Sequence, residues 1–115
     1  MFASTTYLST IAAFITAASA AASCEWKSAG IYAQYHITAD NVPDIPGICG
    51  GFWDNLNNRH FNGACTVFGD PNCGKVDGKF DATFQVLLSC NKGHVGSAWW
   101  EATKNQYGPI DCKLA

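Results

Sequence analysis

The six cysteines are the residues of this 115-residue chain best able to do chemistry, either as metal ligands or as disulfide partners. Zinc sites usually pair their cysteines as Cys-x-x-Cys or combine them with histidines at similar spacing, whereas the two closest cysteines here lie eight positions apart. An even number of cysteines in a short exported chain is typical of a disulfide framework. We therefore predict three disulfide bonds, and no metal ligand, among Cys24, Cys49, Cys65, Cys73, Cys90 and Cys112.

The three histidines could serve acid–base catalysis only if they converged on one cleft with one another or with a carboxylate. A small secreted ribonuclease would combine His, Glu and Arg, and all three residue types are present. We expect the histidines to lie on a strand, in a loop and at a helix start, positions that need not converge. No Gly-x-Ser-x-Gly motif is present. Hence we predict no catalytic residue and no cofactor; the residues considered are His36, His60, His94, Glu25, Glu101 and Arg59.

The charge of the chain argues against one class of partner. The net charge is −2, from 7 basic and 9 acidic residues, and the basic residues are scattered singly. Proteins that follow a phosphate backbone carry clustered Lys and Arg instead. We therefore expect no nucleic-acid partner, and the same balance argues against a basic membrane-lytic peptide.

The first twenty residues differ from the rest and are predicted to be a secretory signal peptide, residues 1–20. Residues 7–18 form a short apolar stretch, and Ala18-Ser19-Ala20 matches the small-x-small pattern that signal peptidase accepts. No Lys or Arg precedes the stretch, and the alternatives are a retained anchor or a disordered Ala/Ser-rich tail. Cleavage within 18–23 would leave one disulfide-rich α+β domain, residues 24–115, secreted to the cell exterior without a stable membrane span.

Alternating apolar residues predict two strands that each have one covered face. The first lies within residues 29–40, and the second, the clearest in the chain, lies within residues 79–90. A turn-rich loop with Cys73 at its tip is expected over residues 69–78. Two shorter strands are expected at residues 64–68 and 110–115. The strand residues expected to face inward are Ile31, Ala33, Tyr35, Ile37, Phe80, Ala82, Phe84, Val86 and Leu88.

Two helices are predicted from apolar residues at helical spacing. The first begins after Asp44, an N-cap residue, and runs to about residue 57. The second spans residues 91–109, with Asn91 as N-cap and Gly108-Pro109 as its stop signal. The residues expected on the inward stripes are Ile45, Ile48, Cys49, Phe52, Trp53, Leu56, Val95, Ala98, Trp99 and Ala102.

A Gly-Gly pair interrupts the first predicted helix directly after a cysteine. Gly50 and Gly51 cost about 2 kcal/mol against alanine in a helix, so we expect a neighbouring backbone to pack closely there. Cys49 lies on the buried stripe, and its disulfide would fasten the helix to the sheet. The alternative is an anion cradle at the helix start, but no Lys, Ser or Thr stands near the pair to assist.

This order of elements predicts an α+β fold, a split βαβ (βαββαβ) sandwich with two helices on one face of a four-stranded antiparallel sheet. Three disulfides would staple it. Six cysteines allow 15 pairings, and the pairing is left open. One suggestion is that Cys24 and Cys112 meet where the first and last strands run antiparallel.

Aromatic residues outside the predicted core are the candidate contacts with a partner. Trp100 is rotated about 100° from the inward Trp99 on a helix, so with Tyr107 it is expected at the sheet edge or exposed. The alternative is a half-buried aromatic that covers the helix–sheet seam. On the sheet face away from the helices we expect either a recognition platform or ordinary solvated sheet, formed by Tyr32, Gln34, His36, Thr83 and Gln85. The predicted partner surface comprises Trp100, Tyr107, Tyr32 and His36.

Two motifs, "DIPGICGGFWDNL" in the first helix and "WWEATKNQYGPIDC" near the end, carry a resemblance to a known family. Over residues 24–112 the chain resembles the small cysteine-rich effectors secreted by plant-colonising fungi, which include the biotrophy-associated secreted proteins. In fold it looks like the subunits of a virally encoded smut-fungus killer toxin. The resemblance implies an extracellular disulfide-bonded α+β sandwich released during growth on a host. Killer-toxin subunits are cut from a precursor at basic sites, which this chain lacks.

The leading functional hypothesis is a secreted, non-enzymatic effector that acts in virulence by binding a protein or glycan of a host or a competing microbe, in the apoplast of a plant. One alternative is an antimicrobial or killer-type toxin. Further alternatives are a small secreted ribonuclease and a carbohydrate-binding module. For the leading hypothesis, no membrane-spanning or nucleic-acid-binding role is expected.

The exported protein should contain no free thiol. Intact-mass spectrometry with and without alkylation should give the same mass until a reductant is added, after which six alkyl groups should attach. Alkylation of the untreated protein would contradict the disulfide framework.

Overall fold

The computed structural model describes residues 22–57 and 61–115. The predicted signal peptide, residues 1–20, and two residues considered for catalysis, Arg59 and His60, lie outside the described residues. Among the residues described, no helix is long and apolar enough to cross a membrane. The elements are β1 (Ala22–Ala29), β2 (Tyr32–Ala39), α1 (Ile45–Asn57), β3 (Phe68–Val76), β4 (Lys79–Leu87), α2 (Lys92–Thr103) and β5 (Cys112–Leu114).

The fold is α+β, with two helices and one five-stranded sheet in the order β3-β4-β2-β1-β5. All neighbouring strands are antiparallel except β1 and β5, which are parallel. The predicted four-stranded antiparallel sheet is therefore wrong in strand number and in the direction of its last strand. The strand that sequence reasoning missed, β1, has the mostly polar sequence ASCEWKSA, in which only Cys24 is fully buried.

The core lies between the inner face of the sheet and the two helices. Tyr35 on β2 stacks on Phe84 of β4, with ring centroids 5.5 Å apart. Phe52 of α1 meets Phe84 edge-on at 5.3 Å, and Trp99 of α2 meets Phe80 at 5.3 Å. Because both helices contact the same face of β4, they lie on one side of the sheet, as predicted. Edge-to-face pairs of this kind stabilise a core by about 0.5–1.5 kcal/mol each beyond the burial of area.

Helix α1 forms as predicted because a cap and an apolar stripe coincide. The Asp44 carboxylate accepts a hydrogen bond from the Gly47 N–H at 3.2 Å, and the Asp44 carbonyl accepts one from Ile48 at 3.0 Å. This satisfies donors at the first turn that have no partner within the helix. Trp53 is half-buried, and the fully buried stripe residues are Ile45, Ile48, Cys49, Phe52 and Leu56.

A neighbouring backbone approaches only one residue of the Gly-Gly pair in α1. A Cβ at Gly51 would lie 3.7 Å from the Cα and Cβ of Ala102 in α2, which is an ordinary contact distance. A Cβ at Gly50 would meet no atom within 4 Å. The expected tight packing is therefore wrong for Gly50, whereas the expected crosslink is confirmed, because Cys49 is bonded to Cys73 of β3.

Strand β3 replaces both the short strand predicted at residues 64–68 and the loop predicted at 69–78. Its glycines, Asn and Pro71 are tolerated because β3 is an edge strand, with a register irregularity between Phe68 and Asn72. The hairpin to β4 turns at Asp77 and Gly78, whose φ angles of 52° and 80° suit a two-residue turn of type I′. The turn-forming residues that predicted a loop over 69–78 therefore belong to an edge strand.

Three element ends differ from the predictions. Leu88, expected inside, is 48% exposed because β4 ends at Leu87, and Ile31 is 65% exposed because it lies in the turn between β1 and β2. Helix α2 begins at its predicted N-cap, Asn91, which forms a capping box with His94. It ends at Thr103, before the predicted stop signal at Gly108-Pro109. The next residue, Lys104, takes a left-handed conformation with a φ of 54° that ends the helix.

All six cysteines form disulfides, which confirms the predicted framework. Cys24 and Cys112 are bonded as suggested, but their strands run parallel rather than antiparallel. The Cys24–Cys112 bridge joins β5 to β1, and the Cys49–Cys73 bridge joins α1 to β3. The third, Cys65–Cys90, joins the turns that precede β3 and follow β4.

Gly50→Ala should raise the free energy of unfolding by about 1 kcal/mol, because the added methyl group meets no atom within 4 Å and alanine favours the helix. Urea unfolding would measure the change. Gly30→Ala is the control of opposite sign, since Gly30 has a φ of 68° that strains alanine. A lower stability of the Gly50→Ala protein would contradict the position of Gly50 described above.

Candidate binding surface on the outer face of the sheet

The sheet face away from the helices, called the outer face below, is covered by no other described element. Alternation along the strands sends one set of side chains into the core and the next set outward. Cross-strand pairs therefore align in rows, such as Gln34 with Gln85 and His36 with Thr83. The outer face comprises Ser23, Glu25 and Lys27 of β1, Tyr32, Gln34, His36 and Thr38 of β2, Asp81, Thr83, Gln85 and Leu87 of β4, and Lys113 of β5.

The centre of the outer face holds a cluster of three ionisable side chains. His36 Nε2 and Asp81 Oδ2 lie 3.0 Å apart in a hydrogen bond. Glu25 stands directly opposite His36 on β1. At the next row, the Ser23 and Thr38 hydroxyls hydrogen-bond at 2.8 Å. The sequence places both His36 and Asp81 outward, since Asp81 alternates with the inward Phe80 and Ala82, but the predicted partner surface included only His36.

Two shallow grooves meet at this cluster. The first, with a volume of about 230 Å³, is lined by polar and aromatic residues: Glu25, Trp26, Lys27, Gln34, Tyr35, His36 and Thr83. The second, of about 460 Å³, continues from Glu25 and His36 toward Asp111 and Lys113. A ligand seated across both grooves would contact Glu25 and His36.

The charges of the outer face offset one another. Glu25 faces Lys113 across the β1–β5 pair, and Lys27 lies two residues along β1. Asp81 is bound to His36, and at the margin of the sheet Asp40 forms an ion pair with Lys79 at 3.4 Å. This mixture gives no field of one sign that would attract a highly charged partner.

One end of the outer face is apolar, a feature that sequence reasoning did not find. Tyr32 meets Phe68 of β3 edge-on, with ring centroids 5.6 Å apart. Ile31 and Leu88 are also exposed, but they lie in the turns next to this end of the sheet, joined by a 3.0 Å hydrogen bond from the Leu88 N–H to the Ile31 carbonyl. Leu88 lines a groove with Ala33 and Cys90, on the helix side of the sheet. Periodicity assigned Ile31 and Leu88 to the core because it extended both strands by one residue too many.

The predicted partner surface divides into two. Tyr32 and His36 lie on the outer face, as expected. Trp100 is 46% exposed, but it lies on α2 and therefore in the helix layer on the opposite side of the sheet. Tyr107 follows α2 and is half-buried, with its ring centroid 6.3 Å from that of Trp99. The structure does not bring these four residues together.

The two described histidines do not converge. His94 lies at the start of α2, where its Nδ1 accepts a hydrogen bond from the Asn91 N–H at 3.3 Å, whereas His36 is on the outer face. His94 also has a ligand atom within 4.8 Å of the sulfurs of Cys65 and Cys90. Because those sulfurs are bonded to each other, they cannot bind a metal as thiolates while the bridge is intact.

Tyr35 lies beneath the first groove with a side chain that is 2% exposed, and burial raises the pKa of its hydroxyl. In the unfolded chain the pKa of tyrosine is about 10. The neutral hydroxyl thus contributes stability that is complete below about pH 10 and is lost as the pH rises toward the higher pKa of the folded protein.

Unfolding free energies measured from about pH 9 to about pH 11 should therefore decline, and Tyr35→Phe should reduce this decline because it removes the ionising group. Tyr32→Phe on the outer face is the matched control and should leave the decline in place. An equal decline in the Tyr35→Phe protein would contradict this account.

No protein-family model, curated protein or solved structure matches this chain. The resemblance to small cysteine-rich fungal effectors thus remains a prediction, and the chemistry of the outer face supplies the argument about function.

Proposed function

We propose that this chain is a secreted, non-enzymatic effector-like protein of a plant-colonising fungus that binds an extracellular molecule of a host or competitor. The observation that supports it best is the outer face, where polar side chains, offset charges and an apolar end lie together with no described element covering them. Proteins contact partners through surfaces that combine aromatic residues with a polar surround.

The disulfides support an extracellular role. Bridges of this kind persist in oxidising environments and are rare where thiols are kept reduced. The bonded cysteines are 88, 24 and 25 residues apart along the chain. Because each bridge restricts the unfolded chain, each adds about 3–5 kcal/mol to the free energy of unfolding in the chain-entropy model. The resemblance to biotrophy-associated secreted proteins points to the same compartment.

The proposal is tested by adding bulk and charge at the middle of the outer face. Gln34→Arg should abolish recovery of the target from the extracellular fluid of colonised tissue, because the new side chain would occupy the first groove. Ser97→Arg, on the exposed surface of α2, is the matched control and should retain full recovery. Equal recovery by both variants, or loss only in the Ser97→Arg protein, would contradict the proposal.

A second candidate function is favoured by the cluster of Glu25, His36 and Asp81. Imidazole with two carboxylates can carry general acid–base chemistry, as in a small secreted ribonuclease. Purified protein would be incubated with RNA between about pH 4 and about pH 8, the range in which a histidine and carboxylates change charge. Binding alone predicts no cleavage at any of these pH values, whereas cleavage that His36→Ala abolishes would establish the hydrolase.

A further inference from the structure

The hydrogen-bonding groups of the outer face indicate the chemical class of its ligand. We propose that the outer face binds a neutral oligosaccharide; this inference rests on the proposed function, because it names the ligand of the same surface. Four observations carry it: unpaired amides at the centre, offset charges, an aromatic end and the small area of the face.

The amides of Gln34 and Gln85 stand opposite each other on β2 and β4, half-buried. Neither amide hydrogen-bonds to another of the described residues, and both line the row beside the His36–Asp81 pair. An amide offers donors and an acceptor at once, and a carboxylate offers acceptors. A sugar hydroxyl both donates and accepts, so a chain of hydroxyls can satisfy this mixture of groups, whereas a purely donating or accepting ligand cannot.

Charge selects a neutral ligand over an ionic one. The carboxylates of Glu25 and Asp81 would repel a polyanion such as a nucleic acid or an acidic glycan. Lys27 and Lys113 oppose a polycation in the same way. The two negative and two positive charges offset one another on one surface. An uncharged polyhydroxyl ligand can bind there without electrostatic repulsion.

The aromatic end supplies the apolar contact. The Tyr32 and Phe68 rings, 5.6 Å apart, lie on β2 and β3 at the margin of the polar rows. A pyranose ring carries C–H groups on its faces, which pack on aromatic rings, and its rim of hydroxyls remains free for polar partners. Aromatic rings beside polar side chains, such as Tyr32 and Phe68, can therefore contact both the apolar faces and the hydroxyls of a sugar.

The dimensions of the outer face suit a short oligosaccharide. From Tyr32 to Thr38 the strand advances six residues, and five strands span four gaps. At about 3.3 Å per residue and about 4.8 Å per gap, the face measures roughly 20 by 19 Å. This planar extent suits a ligand of a few sugar rings laid along the strands.

The test is calorimetric titration of the intact oxidised protein with three neutral hexasaccharides, chitohexaose, laminarihexaose and mannohexaose, and with oligogalacturonate as an anionic comparison. At least one neutral hexasaccharide should bind with a dissociation constant below about 1 mM, and oligogalacturonate should not. Tyr32→Ala and Gln34→Ala should each weaken binding by about tenfold or more, the loss of one stacking contact or one hydrogen-bonding group. Trp100→Ala, an exposed aromatic in the helix layer, is the control and should bind as the parent does.

The outcomes separate this inference from the proposed function. Failure of all neutral hexasaccharides, or preference for oligogalacturonate, overturns the glycan inference; the proposed function survives it if Gln34→Arg still abolishes target recovery. Binding that Trp100→Ala removes and the outer-face variants keep would overturn both. Thermal melting of each variant confirms that it is folded, and Gln34→Ala provides a second probe if Tyr32→Ala is unfolded.

Discussion

The burial of one face of β2 and β4 is the constraint on which the rest of the structure depends. Tyr35 and Phe84 stack between the strands, and Phe52 closes over them from α1. Side chains alternate along a strand, so the inward position of these residues requires His36 and Thr83 to point outward. The same strand register places His36 opposite Thr83. The outer face is thus a consequence of the core.

The disulfides complete this arrangement at the margins of the sheet. Cys24–Cys112 holds the three-residue strand β5, which is too short to dock securely by backbone pairing alone. Cys49–Cys73 holds the opposite edge, where β3 contains Pro71 and an irregular register. These two bridges therefore attach the edge strands β5 and β3, which backbone hydrogen bonds hold least firmly. The grooves of the outer face lie on the sheet between them.

Sequence periodicity predicted the parts of the fold that are buried on one side. The inward residues of β2 and β4 and the stripe of α1 were found because apolar spacing reports burial directly. Strand β1 and strand β3 were missed because their pairing uses backbone groups, which leave no apolar signature when the side chains are polar or glycine. The candidate site was predictable in part. His36, Gln34 and Asp81 were placed outward, but the pairing of Asp81 with His36 was not predicted, because it depends on the register between β2 and β4. Ile31 and Leu88 were assigned inward because strand ends depend on turns.

The central claim is that the outer face, and not the helix layer, touches the target. Photo-crosslinking tests it most directly: p-benzoylphenylalanine replaces Gln34 in one protein and Ser97 in another, and each is irradiated in the extracellular fluid where the protein acts. The account predicts a covalent adduct from position 34, whose side chain lines the first groove, and none from position 97 on α2. An adduct from position 97 alone would contradict it.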